Sequence, residues 1–203
     1  MKPAQKVLTT ILWALTVLIM VSVIGAGLWR KGQRELPDLG AAPAFELTDQ
    51  DDRPVTLASL RGKPFVGNFV FTRCGGPCPM MTSKMATLQK TLPAPDLQFL
   101  SISVDPATDT PAVLKAYAGK YGADESRWKF LTGAPDAVYA TARGFFLTAL
   151  PANDKNPIIH DERFVLVDAT GKIRGYYHSN NEAEVARLKQ DAVVLAEDAA
   201  TSR

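Results

Sequence analysis

Cysteine and histidine are scarce, with two of each in 203 residues. Two cysteines cannot build a disulfide-dense scaffold, a four-thiolate zinc site or an iron–sulfur cluster. Two histidines leave few ways to complete a metal site of any kind. A phosphate-cradling Gly-rich loop and a serine-nucleophile signature are both missing. Acidic residues are absent before Glu35, whereas five of the 23 basic ones (Lys2, Lys6, Arg30, Lys31, Arg34) lie there. From Glu35 onward 18 basic residues face 21 acidic ones, a net of −3. The body therefore has no basic excess to attract a phosphate backbone, which disfavours nucleic acid as a partner. What remains is ordinary: 46% hydrophobic, 22% charged, 14 Gly and 14 Pro. Disordered, collagen-like and low-complexity classes are excluded, and the length suits one domain with an appendage.

The appendage is at the amino terminus. Val7 to Trp29 carries no charge and is dominated by Val, Leu, Ile and Ala. At about 1.5 Å per residue such a helix crosses a hydrocarbon core about 30 Å thick. A cleaved signal peptide is the competing reading, because Lys2 and Lys6 form a basic start and Gly25-Ala26-Gly27 are small. The run exceeds the roughly 7–15 apolar residues of such a peptide, and Trp29 stands where an interfacial anchor belongs. A retained single-span anchor over residues 1–29 is expected, with a linker at 30–42 and a soluble domain at 43–203. Basic residues flank both ends of the span, so charge counting does not orient it.

Within the body, Phe65–Phe71 and Leu97–Val104 read as buried strands, and short strands are expected at Phe45–Thr48, Val55–Leu57 and Phe130–Leu131. Helices are expected over Pro79–Leu92, Pro111–Tyr121 and Pro135–Arg143, and a last one is capped by Asn181 and runs to about Ala196. Arg163–Asp168 and Lys172–Tyr177 alternate around Ala169-Thr170-Gly171 as a hairpin. The pattern is α/β, a mixed sheet flanked by helices.

The chemically loaded segment is Phe71-Thr72-Arg73-Cys74-Gly75-Gly76-Pro77-Cys78-Pro79. It follows the most strand-like run and precedes a helix, so both sulfurs lie near a helix amino terminus, where the dipole favours a thiolate. Glycines between the cysteines free the loop to turn both sulfurs to one point. Such a pair closes a disulfide or holds a soft ion, and sulfur selects Cu(I). A structural disulfide is the plain alternative, although so short a loop constrains little unfolded-state entropy. A third ligand must be His160, on a loop at a sheet end, or His178, past the hairpin beside Ser179 and Asn180. Met81 and Met85 read as a core stripe and Met80 as an accessory contact. Asp105 and Asp109, in Asp-Pro-x-x-Asp-Thr-Pro, read as turn and cap residues. Asp49, Asp51 and Asp52 read as a solvated turn.

Several ordered motifs raise the specificity: Gly62-Lys63-Pro64, Phe71-Thr72-x-Cys74-x-x-x-Cys78-Pro79, Ser103-Val104-Asp105-Pro106 with Asp109-Thr110, Leu131-Thr132-Gly133, and His160 ahead of Phe164–Asp168 and Gly171. With these the chain resembles the Sco/SenC family of thioredoxin-like, membrane-anchored copper chaperones for cytochrome c oxidase assembly. The resemblance implies a thioredoxin-like fold and Cys74, Cys78 and His160 as ligands of copper, held as Cu(I) or Cu(II). It implies a copper-containing oxidase subunit or an intermediate copper chaperone as partner. It also implies an extracytoplasmic domain on the bacterial cytoplasmic membrane, amino terminus inside. Thiol–disulfide exchange through Cys74 and Cys78 is the alternative activity. Two departures stand out: an acidic residue common between the family's cysteines is missing here, and Asp161 follows His160 where Ser or Thr is usual.

Overall fold

The computed structural model describes residues 12–23, 35–92, 96–150 and 158–201. The chain divides into two compact units, Met1–Glu35 and Leu36–Arg203. In the first, residues 12–23 are helical. Among the described residues no helix is long and apolar enough to cross a membrane. The rest of the expected span at 7–29 lies outside the described residues.

The second unit is a seven-stranded sheet with helices on both faces. Its strands are β1 (Glu46–Asp49), β2 (Pro54–Thr56), β3 (Phe65–Val70), β4 (Gln98–Ser103), β5 (Trp128–Thr132), β8 (Arg163–Val167) and β9 (Ile173–His178), in the order β2-β1-β5-β4-β3-β8-β9. β6 (Ala149–Leu150) and β7 (Ile159–His160) form a separate small pair. The helices are α1 (Pro77–Thr91), α2 (Pro111–Lys120), α3 (Pro135–Gly144) and α4 (Glu182–Thr201). The central β3, β4 and β5 run parallel, while β1 and β8 join them antiparallel. Strands covered on both faces are largely apolar, and every residue of β3 and β4 is buried; the polar Ser101 donates to Asn68 Oδ1 at 2.8 Å.

Alternation along these strands feeds two cores. Val66 and Phe99 pack with Met81, Met85 and Leu88 of α1, Leu114 of α2 and Leu188 of α4. Phe65, Phe69, Leu100 and Ile102 pack on the opposite face with Val138 and Ala142 of α3. Methionines 81 and 85 are thus core residues, as their spacing implies. The expected elements are present, with boundaries shifted by a residue or two, except that the last helix runs on past Ala196 to Thr201. Asn181 caps α4, its Oδ1 accepting from the N–H groups of Ala183 and Glu184 at 3.1 and 3.3 Å.

Two expectations need correction. Asp49 is buried, and its carboxylate organises the β1–β2 turn by accepting from the N–H groups of Asp51 and Arg53 at 2.8 and 3.0 Å. A buried turn carboxylate that satisfies two amides is stable where a bare one would not be. Residues 36–42, assigned to the linker, pack on the domain: Leu36 joins the first core, and Leu39 and Ala42 bond through their amides to Ile173 and Gly171 carbonyls. The side chains of Leu36 and Ala42 are buried there, while Leu39 is held by its amide with its side chain exposed.

Candidate metal centre

The topology explains why residues 82 positions apart meet. β3 runs into the cysteine loop at its carboxyl end. β8 lies beside β3 in the opposite direction, with Gly67 opposite Val165 and Phe65 opposite Val167. The amino-terminal end of β8 therefore sits beside the cysteine loop, and His160 precedes that end by three residues. Cys78 is the second residue of α1, which begins with Pro77 at a position where a missing N–H costs nothing.

Cys78 Sγ lies 3.0 Å from His160 Nε2, and ligand atoms of Cys74, Cys78 and His160 all fall within 4.8 Å of one another. Both cysteines are free thiols. His160 Nδ1 faces the Asp161 carbonyl at 3.0 Å. A carbonyl only accepts, so the proton resides on Nδ1 and the Nε2 lone pair points at sulfur. The Phe71 ring meets the imidazole edge to face, 5.7 Å between centroids. Two sulfurs and one imidazole nitrogen this close suit one small soft cation after a slight closing of the loop, since ligand bonds of about 2.0–2.3 Å set three donors under about 4 Å apart.

The sulfurs differ in setting. Cys78 is fully buried, while Cys74 and His160 are partly exposed. Burial pushes the Cys78 thiol well above its ordinary value, and the neighbouring Cys74 adds to this against a hydrogen bond to the Phe71 backbone. The helix terminus therefore does not make Cys78 a ready thiolate: desolvation outweighs it. Nor do Gly75 and Gly76 supply a left-handed turn, for neither has a positive φ. A Cβ on Gly75 would meet nothing within 4 Å, so the space of the missing acidic residue is open.

The loop is anchored by a residue whose role the sequence disguised. The buried Asp109 carboxylate accepts from Thr72 N–H at 3.1 Å, Thr72 Oγ1 at 2.6 Å and Ser103 Oγ at 2.6 Å. The cap of α2 is Thr110, which accepts from Val113 N–H. Asp109 instead ties the segment leading to Cys74 to the end of β4. Arg73 Nη2 donates to Asp105 at 2.8 Å. The Asp161 carboxylate is held by Arg163, through Nε at 2.8 Å, Nη2 at 2.7 Å and the backbone N–H at 2.9 Å. Burial raises the Asp161 pKa, but these bonds outweigh it and hold the carboxyl below its usual range. His178 is exposed, paired with Glu184 at 3.1 Å, and away from the cysteines. Met80 is partly exposed in the first turn of α1.

Comparison with known proteins agrees with this architecture. The sequence model of the SCO1/SenC family matches residues 33–194. A SCO1 protein homolog of Bacillus subtilis is 37% identical over 141 residues, 66% of this chain and 72% of the relative. The solved structure of BsSco, described as a member of the Sco family of cytochrome c oxidase assembly proteins with a disulfide switch, is 31% identical. It superposes with a TM-score of 0.71 over 84% of this chain and 100% of that one. Bradyrhizobium japonicum ScoI with copper bound is 27% identical, with a TM-score of 0.63 over 74% of this chain and 99% of that one.

Proposed function

The chain belongs to the SCO1/SenC family, and from that premise we propose that it is a membrane-anchored copper carrier serving cytochrome c oxidase assembly. Cys74, Cys78 and His160 are the cargo ligands. The observation that carries this reading is the convergence of two sulfurs and an imidazole nitrogen within 4.8 Å. Copper displaces the thiol protons on binding and is passed on by ligand exchange with thiols of an oxidase subunit or an intermediate chaperone. The charge-free run at 7–29 anchors the chain in the bacterial cytoplasmic membrane with the domain outside; resistance to alkaline extraction, with the domain open to external protease, tests this.

The carrier reading predicts one copper per chain, and loss of both copper and oxidase maturation in Cys74→Ser, Cys78→Ser and His160→Ala. A reduced wild-type chain that yields its copper to a weak competitor refutes it.

The pairing of an accessible Cys74 with a buried Cys78 favours a second reading, reduction of partner disulfides. Cys74 thiolate attacks the partner disulfide and expels one partner thiolate. Cys78 then attacks the mixed disulfide and expels the other. The partner gains two electrons and the Cys74–Cys78 disulfide remains. This chemistry does not need the imidazole. Full oxidase maturation in His160→Ala, with both cysteine variants inactive, selects exchange over carriage.

A further inference from the structure

We propose that Arg163 is a positioning residue for the metal centre, acting through Asp161 to fix the imidazole of His160. The inference rests on the metal reading above and deepens it.

Every polar group of Asp161 is committed. Its N–H donates to the Thr148 carbonyl at 2.8 Å, tying the residue to the start of the β6–β7 pair. Its carbonyl faces His160 Nδ1. Its carboxylate accepts from the Arg163 backbone N–H, closing a turn across Glu162, and the Arg163 guanidinium grips both oxygens at 2.8 and 2.7 Å. A two-point fork fixes the orientation of a carboxylate, which a single point charge does not.

The guanidinium is itself held. It lies over the Tyr176 ring at 5.2 Å, and Tyr176 donates to the Phe145 carbonyl at 2.8 Å. A further contact at 3.4 Å reaches the Phe146 carbonyl. A rigid path thus runs from the end of α3 and from β9 through Arg163 and Asp161 to the carbonyl that holds the Nδ1 proton. The same carbonyl sets ring rotation, which decides whether Nε2 faces the sulfurs. Partners of this kind around a ligating histidine typically carry a 10- to 100-fold effect on metal affinity.

The test uses the full chain in detergent with copper itself as probe, measured by competition against a chelator. Arg163→Met keeps the stem and removes the fork; Arg163→Lys keeps the charge. Both are expected to lose 10- to 100-fold in copper affinity, with reduced thiol titre unchanged. Spectra of the Cu(II) form report the mechanism: the nitrogen coupling of the imidazole weakens, as it does more fully in His160→Ala. The double variant Asp161→Ala/Arg163→Met loses no more than Asp161→Ala alone, because both act on one bond. Wild-type affinity and nitrogen coupling in Arg163→Met and Arg163→Lys, alongside loss in His160→Ala, overturn the proposal and leave the metal reading intact. So do additive losses in the double variant. Unchanged affinity in His160→Ala removes the metal reading itself.

Discussion

Replacing Asp109 with alanine tests whether the cysteine loop is held from β4. The carboxylate accepts three hydrogen bonds in a fully buried setting. Its loss leaves the Ser103 hydroxyl, also fully buried, with no acceptor, which costs about 1–3 kcal/mol. Thr72 is partly exposed, so water can take over its N–H and hydroxyl. Those two bonds then cost about 1 kcal/mol each. The sum is about 3–5 kcal/mol, a large share of the 5–15 kcal/mol typical of a domain. At about 2–4 °C per kcal/mol the melting midpoint falls by about 6–20 °C. Asp109→Asn keeps the shape and one acceptor oxygen and costs roughly half as much. Urea titration and thermal melting of the apo chain measure the loss. Thiol labelling reads the local effect, since a loosened loop uncovers Cys78. A midpoint within about 2 °C of wild type, with Cys78 still protected, refutes the anchor.

Phe146 has φ +55° and a side chain 70% exposed, so it bears the left-handed penalty while packing little. Phe146→Gly is expected to gain about 1 kcal/mol and raise the midpoint by about 2–4 °C; a lower midpoint in thermal melting contradicts this. Burial raises the pKa of both Cys78 and Tyr117 in the folded chain, from ordinary values of 9.0 and 10.0. The native state therefore binds these protons more tightly than the unfolded one. Their contribution is complete below about pH 9 and is lost as pH rises further, by up to about 1.4 kcal/mol per pH unit for each proton. Urea midpoints of the apo chain from pH 8 to 11 measure it, and Cys78→Ser removes the part that begins near 9. A profile identical in wild type and Cys78→Ser counts against a raised Cys78.

The parallel centre was legible because β3 and β4 are rich in Phe, Val, Leu and Ile and carry no charge, as strands covered on both faces require. Helix starts at Pro111 and Pro135 were legible from proline at the first turn. The β6–β7 pair was not, since two-residue strands carry no periodicity, and His160 read as loop. Asp109 was misjudged for a different reason. Its neighbours have all the local chemistry of a cap, and Thr110 takes that role, whereas the actual partner, Thr72, is 37 residues away. The cysteines stood out by spacing, while scarcity narrowed the third ligand to His160 or His178 and the family resemblance implied His160. Their contact depends on the pairing of β3 with β8, a register no local window contains.

The unequal burial of the two sulfurs bears on how a cation would leave. A carrier must bind tightly enough to exclude water yet release without unfolding, and three equally buried donors would meet only the first need. Here Cys78 is sealed at the base by α1, where its backbone carbonyl accepts from Thr82, itself bonded to Tyr117. Cys74, on a loop with open space at Gly75, is reachable from solvent. An incoming thiol can therefore displace Cys74 first while Cys78 and the imidazole retain the ion, so that no intermediate is bare. Reversing that order would require the fully buried Cys78 to be uncovered before the partly exposed Cys74. The same asymmetry serves dithiol exchange, with Cys74 attacking and Cys78 resolving. Only the imidazole separates the two chemistries, and this chain places a partly buried carboxylate and a guanidinium next to it, which dithiol exchange alone has no use for.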